Sequence, residues 1–180
     1  MLPNLLPSDS EGRVVAVAPS PRFRPAKNIA FARPCGGDAA LATRHFVGSD
    51  AQRAGVRYER QVHEFLRALW PSSYRPGPWY EFGDASGFRR CQPDGLLLQS
   101  GTAVIFEVKI RHTEGSYYQL HDLYAPVIRA AHRPKKVLLC TIVKSYDPSA
   151  PYPARTSRVE NLSEWVDAGD EAIGVYQWKR

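Results

Sequence analysis

A chain of 180 residues has room for one self-stabilising domain with a tail, and two full domains are not expected. With 43% apolar and 23% charged residues, and no apolar run near the roughly 20 residues that a spanning helix needs, the composition is globular and excludes a helical membrane protein. The formal net charge of +6 favours a polyanionic partner, because clustered Lys and Arg gain free energy by releasing counterions from phosphate.

The opening residues lack a basic leader and a sustained apolar segment, so no secretion signal is expected. Residues 1–50 are punctuated by Pro3, Pro7, Pro19, Pro21, Pro25 and Pro34 and read as a Pro-rich basic arm, with residues 13–18 as a candidate strand. Residues 51–180 read as the domain. Its first helix begins near Ala51, with Val56, Glu59, Val62, His63, Leu66 and Leu69 at spacings of three and four, and ends at Pro71. Arg53, Arg57, Arg60 and Arg67 occupy the opposite face.

Residues 79–82 read as a short strand before the turn at 83–87, and residues 88–99 read as a second strand. Ser100-Gly101 then turns the chain into the strand 102–110, so that these last two strands form a hairpin. In that strand Val104, Phe106, Val108 and Ile110 share the face toward the core, while Glu107 and Lys109 project to the other. Residues 117–131 read as helix, which Pro126 either kinks or divides. A buried strand at 136–143, a Pro-rich loop at 147–153, a short helix at 162–166 and a last strand at 172–178 complete the order. Such an order predicts an α/β fold: a three-layer sandwich with a central mixed β-sheet flanked by helices.

Two charged residues in a strand as apolar as 102–110 are costly to bury unless paired or wetted. One reading is a surface ion pair worth ~0–1 kcal/mol. The other is a metal site, because Asp94 on the preceding strand and Glu107 converge across a hairpin as hard oxygen ligands suited to Mg²⁺. Cys35, Cys91 and Cys140 are odd in number and never spaced C-x-x-C, which excludes a disulfide framework or zinc cluster and sets a reducing cytoplasm as the expected compartment. The five histidines form no H-x-H or H-E-x-x-H arrangement, and no Gly-rich phosphate loop or G-x-S-x-G elbow occurs.

Pro93-Asp94 followed by Glu107-Val108-Lys109 resembles the PD-(D/E)XK nuclease superfamily, in its RecB-like and Holliday-junction-resolvase-like branches. The resemblance spans residues 55–143 and implies a restriction-endonuclease-like αβββαβ core. It also implies Asp94 and Glu107 as metal ligands, the main-chain carbonyl of Val108 as another, and Lys109 as the group that positions and activates the attacking water. Glu59 on the first helix matches the family's extra acidic ligand, with Glu64 as a competitor, and Gln119 matches a Gln on the helix after the Lys strand. The implied activity is that of a Mg²⁺-dependent nuclease, with Mn²⁺ as a substitute, that cleaves DNA and leaves 5′-phosphate ends. A homodimer is one arrangement the resemblance implies, and such a small enzyme suits a bacterial cell or a phage-infected one. Two other readings stay open: a non-catalytic nucleic-acid-binding or assembly module on the same fold, and a nuclease for RNA.

Overall fold

The computed structural model describes residues 24–36, 49–150, 152–153, 155–169 and 173–179, so the candidate strand at 13–18 lies outside the described residues. Helix α1, Asp50–Leu69, starts at a reciprocal cap in which Ser49 Oγ accepts the Gln52 N–H and Gln52 Oε1 accepts the Ser49 N–H. Its buried stripe is Tyr58, Val62, His63 and Leu66. Val56 and Leu69, expected on the same face, are both 38% exposed. The helix rests on the sheet through its middle turns, so its first and last apolar residues find no cover. Arg53, Arg57, Arg60 and Arg67 are all exposed, as expected.

Six strands form the main sheet: β2 (Tyr74–Pro76), β5 (Gly95–Gln99), β6 (Thr102–Arg111), β7 (Lys136–Ser145), β8 (Thr156–Val159) and β9 (Ile173–Gln177), in the order β2-β5-β6-β7-β9-β8. The β2, β5 and β6 strands pair antiparallel, whereas β6, β7, β9 and β8 pair parallel, giving a mixed sheet. Ser100 and Gly101 both take positive φ (50° and 81°), the two-residue turn whose twist suits a β5–β6 hairpin. A second, antiparallel sheet holds β1 (Phe31–Pro34), β3 (Tyr80–Asp84) and β4 (Gly87–Cys91), in the order β1-β3-β4.

Two expectations change here, and the choice left open at Pro126 is decided. The segment 88–99 is two strands in two sheets, because Gln92-Pro93-Asp94 interrupts it and Pro93 has no N–H to give a ladder. Residues 31–34, read within the arm, instead form an edge strand, and β2 and β8 are additional. The segment 117–131 is α2 (Glu114–Tyr118), a π-helical turn (Gln119–Tyr124) and α3 (Ala125–His132), with Pro126 in the first turn of α3. Pro126 cannot donate to the carbonyl of Asp122 four residues back. The Ala26 N–H takes that carbonyl at 2.8 Å and ties the segment before β1 to the helices.

One core cluster joins α1 and α4 (Leu162–Ala168) to the main sheet through Val62, Leu66, Val104, Phe106, Ile142 and Trp165. The other joins α3 and the small sheet to the opposite face through Phe82, Leu96, Ile105, Leu120 and Ile128. Both faces of β6 are therefore covered, Ile105 as fully as Phe106, which explains its near-continuous apolar run. The result is the expected three-layer α/β sandwich. Among the described residues no helix is long and apolar enough to cross a membrane.

Candidate active site

The β5–β6 ladder runs from Gln99↔Thr102 to Gly95↔Phe106, and one further step of that register sets Asp94 across from Glu107. Directly opposed residues of an antiparallel pair share a face, and Lys109 follows on the same face of β6. Because β5 begins at Gly95, Val108 has no ladder partner on that edge, and its N–H donates instead to Asp94 Oδ2 at 2.7 Å. A residue's N–H and C=O point to the same edge of a strand, so the Val108 carbonyl faces the same gap as Asp94.

Lys109 Nζ lies 2.5 Å from Glu107 Oε1. Glu107 is only 1% exposed, and its Oε2 has no hydrogen-bond partner among the described residues. Burial, then the negative charge of Asp94, pushes the Glu107 carboxyl up to about 8, with Lys109 acting in the opposite direction. Burial and Glu59 push Asp94 up to about 6, against Lys109 and the Val108 N–H. For Lys109 burial works against the charge, but Glu107 and Asp94 outweigh it and hold the ammonium above its ordinary value. Lys109 thus keeps its proton, and one ammonium is shared among carboxylates that repel one another. A buried carboxylate oxygen without a partner is costly, and a cation is one way to satisfy it.

The oxygen donors present suit a hard cation. Among the described residues no three His, Cys, Asp or Glu side chains gather as a ready-made cage. A metal here would draw on Asp94, Glu107 and the Val108 carbonyl and take its other oxygens from water or substrate, as Mg²⁺ commonly does.

Glu59 and Gln119 lie at the edge of this centre. Glu59 acts electrostatically on Asp94, Glu107 and Lys109, while its Oε1 is 3.4 Å from His63 Nε2. Glu64 is exposed and is not among the groups that act on Asp94 or Glu107. Gln119 opens the π-helical turn, where i→i+5 hydrogen bonding brings residues five apart into line. Its Nε2 accordingly donates to the Tyr124 hydroxyl at 3.3 Å, and that hydroxyl donates to the carbonyl of Gln92 at 3.1 Å. Tyr124, whose own ionisation is pushed up by burial and then by Glu107 and Asp94, thus ties Gln119 to Gln92, two residues before Asp94.

The sequence did not single out Tyr74 or Thr141, and it placed His63 on the inner face of α1 without a role at the centre. His63 is buried, and its Nδ1 lies 2.6 Å from the Tyr74 hydroxyl. A Cβ on Gly95 would meet that hydroxyl at 2.5 Å, so only glycine lets Tyr74 lie against the strand next to Asp94. Thr141 pairs with Glu107 across β6–β7, is fully buried, and its Oγ1 has no partner among the described residues. A hydroxyl in the apolar run 136–143 was the one local signal for it.

No family model and no curated protein matches the chain. Among solved structures, the crystal structure of protein VC1899 from Vibrio cholerae is similar at 11% identity with a TM-score of 0.38, covering 73% of this chain. The aligned part is 33% of that protein, so this chain spans about a third of its length.

Proposed function

We propose that this protein is a metal-dependent nuclease of the PD-(D/E)XK type that hydrolyses DNA phosphodiester bonds. One observation carries the reading: Asp94, Glu107 and Lys109 converge at the open end of the β5–β6 hairpin, with Glu107 buried and one of its oxygens unpartnered. A surface ion pair does not account for that placement, since a pair of this kind stays wet and contributes little.

Asp94 and Glu107 would hold Mg²⁺ or Mn²⁺ together with the Val108 carbonyl, and Glu59 adds negative charge beside them. The divalent ion, when bound, lowers the pKa of water and offsets charge on the scissile phosphate. Lys109, beside Glu107, would position the attacking water or a phosphate oxygen and help activate that water. Tyr124, bonded to the Gln92 carbonyl, fixes the helix beside the carboxylates, and the partly exposed Gln119 amide is the group that would meet the substrate backbone. In-line attack on phosphorus would leave 5′-phosphate and 3′-hydroxyl ends.

The test is cleavage of plasmid, linear duplex and single-stranded DNA with Mg²⁺, Mn²⁺ or EDTA, comparing the parent with Lys109→Ala. Metal-dependent cutting that the substitution suppresses is the expected result. Equal inactivity of both proteins, with DNA still bound, would overturn the nuclease in favour of a binding module. Faster cleavage of a matched RNA would replace DNA as the substrate.

A further inference from the structure

The small sheet carries a surface that the catalytic centre does not use. In its register, Phe31↔Gly83↔Phe88 forms one row, Ala32↔Phe82↔Arg89 the next and Arg33↔Glu81↔Arg90 the third. Alternate rows face opposite sides. Phe82 is fully buried against the helices, so the rows of Phe31 and of Arg33 look outward. Phe31 is 45% and Phe88 62% exposed, and their ring centroids are 6.3 Å apart. A Cβ on Gly83 would meet the Phe31 ring at 2.5 Å, so the glycine between the two phenylalanines is what lets Phe31 lie flat across the sheet.

The arginine row beside them is held in place. Glu81 is 2.5 Å from the Arg33 guanidinium and 3.7 Å from that of Arg90, and Arg90 also lies 6.0 Å from the Phe88 ring centroid. Both guanidiniums remain largely exposed, and with one carboxylate between them the row keeps a net positive charge. Beyond it, Trp79, 39% exposed, borders a hollow of about 380 Å³ lined with Cys35, Gly36 and Arg90. From Phe88 through Arg90 to Trp79, just before β3, the surface therefore runs aromatic, cationic, aromatic. Three residues past the end of β4 stands Asp94, at most about 11 Å of chain away.

We infer that the outer face of β1, β3 and β4 is a stacking platform for single-stranded DNA, with Phe31, Phe88 and Trp79 receiving bases and Arg33 and Arg90 receiving phosphates. Flat, exposed rings interleaved with guanidiniums match the alternation of bases and phosphates along an unpaired strand. A duplex keeps its base faces stacked internally and offers nothing to such rings. Phe88 is six residues and Arg90 four residues before Asp94, so the platform lies within about 22 Å of chain of the carboxylates and an unpaired strand bound there could reach them. The choice of DNA rests on the nuclease reading, whereas the stacking chemistry does not.

Binding in EDTA separates the two ideas, because it is read without cleavage. Fluorescence anisotropy of a labelled oligothymidylate is measured with the full chain, with Phe88→Ala and with Arg90→Ala, while circular dichroism melting checks each fold. Phe88→Ala is expected to weaken binding roughly tenfold with an unchanged melt, and Phe88→Trp to restore it. Arg90→Ala should lower the slope of log affinity against log salt by about one. Unchanged affinity in Phe88→Ala, an equal loss for duplex, or tighter binding of oligouridylate would overturn the proposal. So would sedimentation showing that Phe88→Ala merely dissociates a dimer. Cleavage without platform-dependent binding defeats this inference alone, and platform-dependent binding without metal-dependent cleavage defeats the nuclease alone.

Discussion

Two buried glutamates, one in each sheet, meet different fates. Glu81 in the small sheet lies between Arg33 and Arg90, so each of its oxygens faces a guanidinium. Glu107 in the main sheet has one ammonium at one oxygen and nothing at the other. The difference comes from cover: the small sheet is open on its outer face and admits long, solvated arginines, whereas β6 is packed on both faces. A carboxylate saturated by partners is structural. One left short of partners in a dry place is a site that needs something more.

The largest effect expected from breaking this contrast is on catalysis. Glu107→Gln and Asp94→Asn should remove metal-dependent cleavage, a loss on the order of 10³-fold or more in single-turnover rate. Wild-type rates in either variant would sink the two-carboxylate assignment. For stability, Phe106→Ala in the main sheet should cost about 3–5 kcal/mol by urea unfolding. Phe88→Ala on the open face should stay within about 0.5 kcal/mol. A large cost at Phe88 would mean that its ring is cemented into the core and is no free platform.

The pH dependence sharpens the comparison further. Glu107 titrates higher in the folded protein than in the unfolded chain, so between the ordinary carboxylate range and about 8 the folded state holds more protons. Stability of the metal-free protein should therefore fall as pH rises through that window. Glu107→Gln should flatten the fall and raise the melting temperature near pH 8, and Mg²⁺ should stabilise the parent but not the variant. A parent whose melting temperature rises from pH 5 to 8 would contradict the unpartnered Glu107. Last, Thr141→Val removes a buried hydroxyl without a partner and should stabilise the protein by about 1 kcal/mol, read as a shift in the urea midpoint.

Much of the centre was legible in the chain. Glu107 and Lys109 stand at alternate positions of an apolar strand, Ser100-Gly101 makes the turn, and Pro93 places Asp94 just before the partner strand begins. Those are local signals: a period of two, a two-residue turn and a residue that cannot join a ladder. The start of α1 near Ala51 was equally local. Its apolar stripe was misjudged at Val56 and Leu69, because periodicity names a face but not how far the supporting sheet extends.

Only the tertiary structure set the rest. His63 reaches Tyr74, Tyr124 reaches Gln92, and the Ala26 N–H reaches the Asp122 carbonyl, pairs separated by 11, 32 and 96 residues that no local pattern connects. The exposure of the row of Phe31 and Phe88 likewise depends on which surfaces find cover. The chain by itself determined which groups stand in alternation and where it turns, since backbone geometry encodes both within a few residues. Whether a carboxylate is dry and short of partners is a property of everything packed around it, and that the three-dimensional arrangement alone decided.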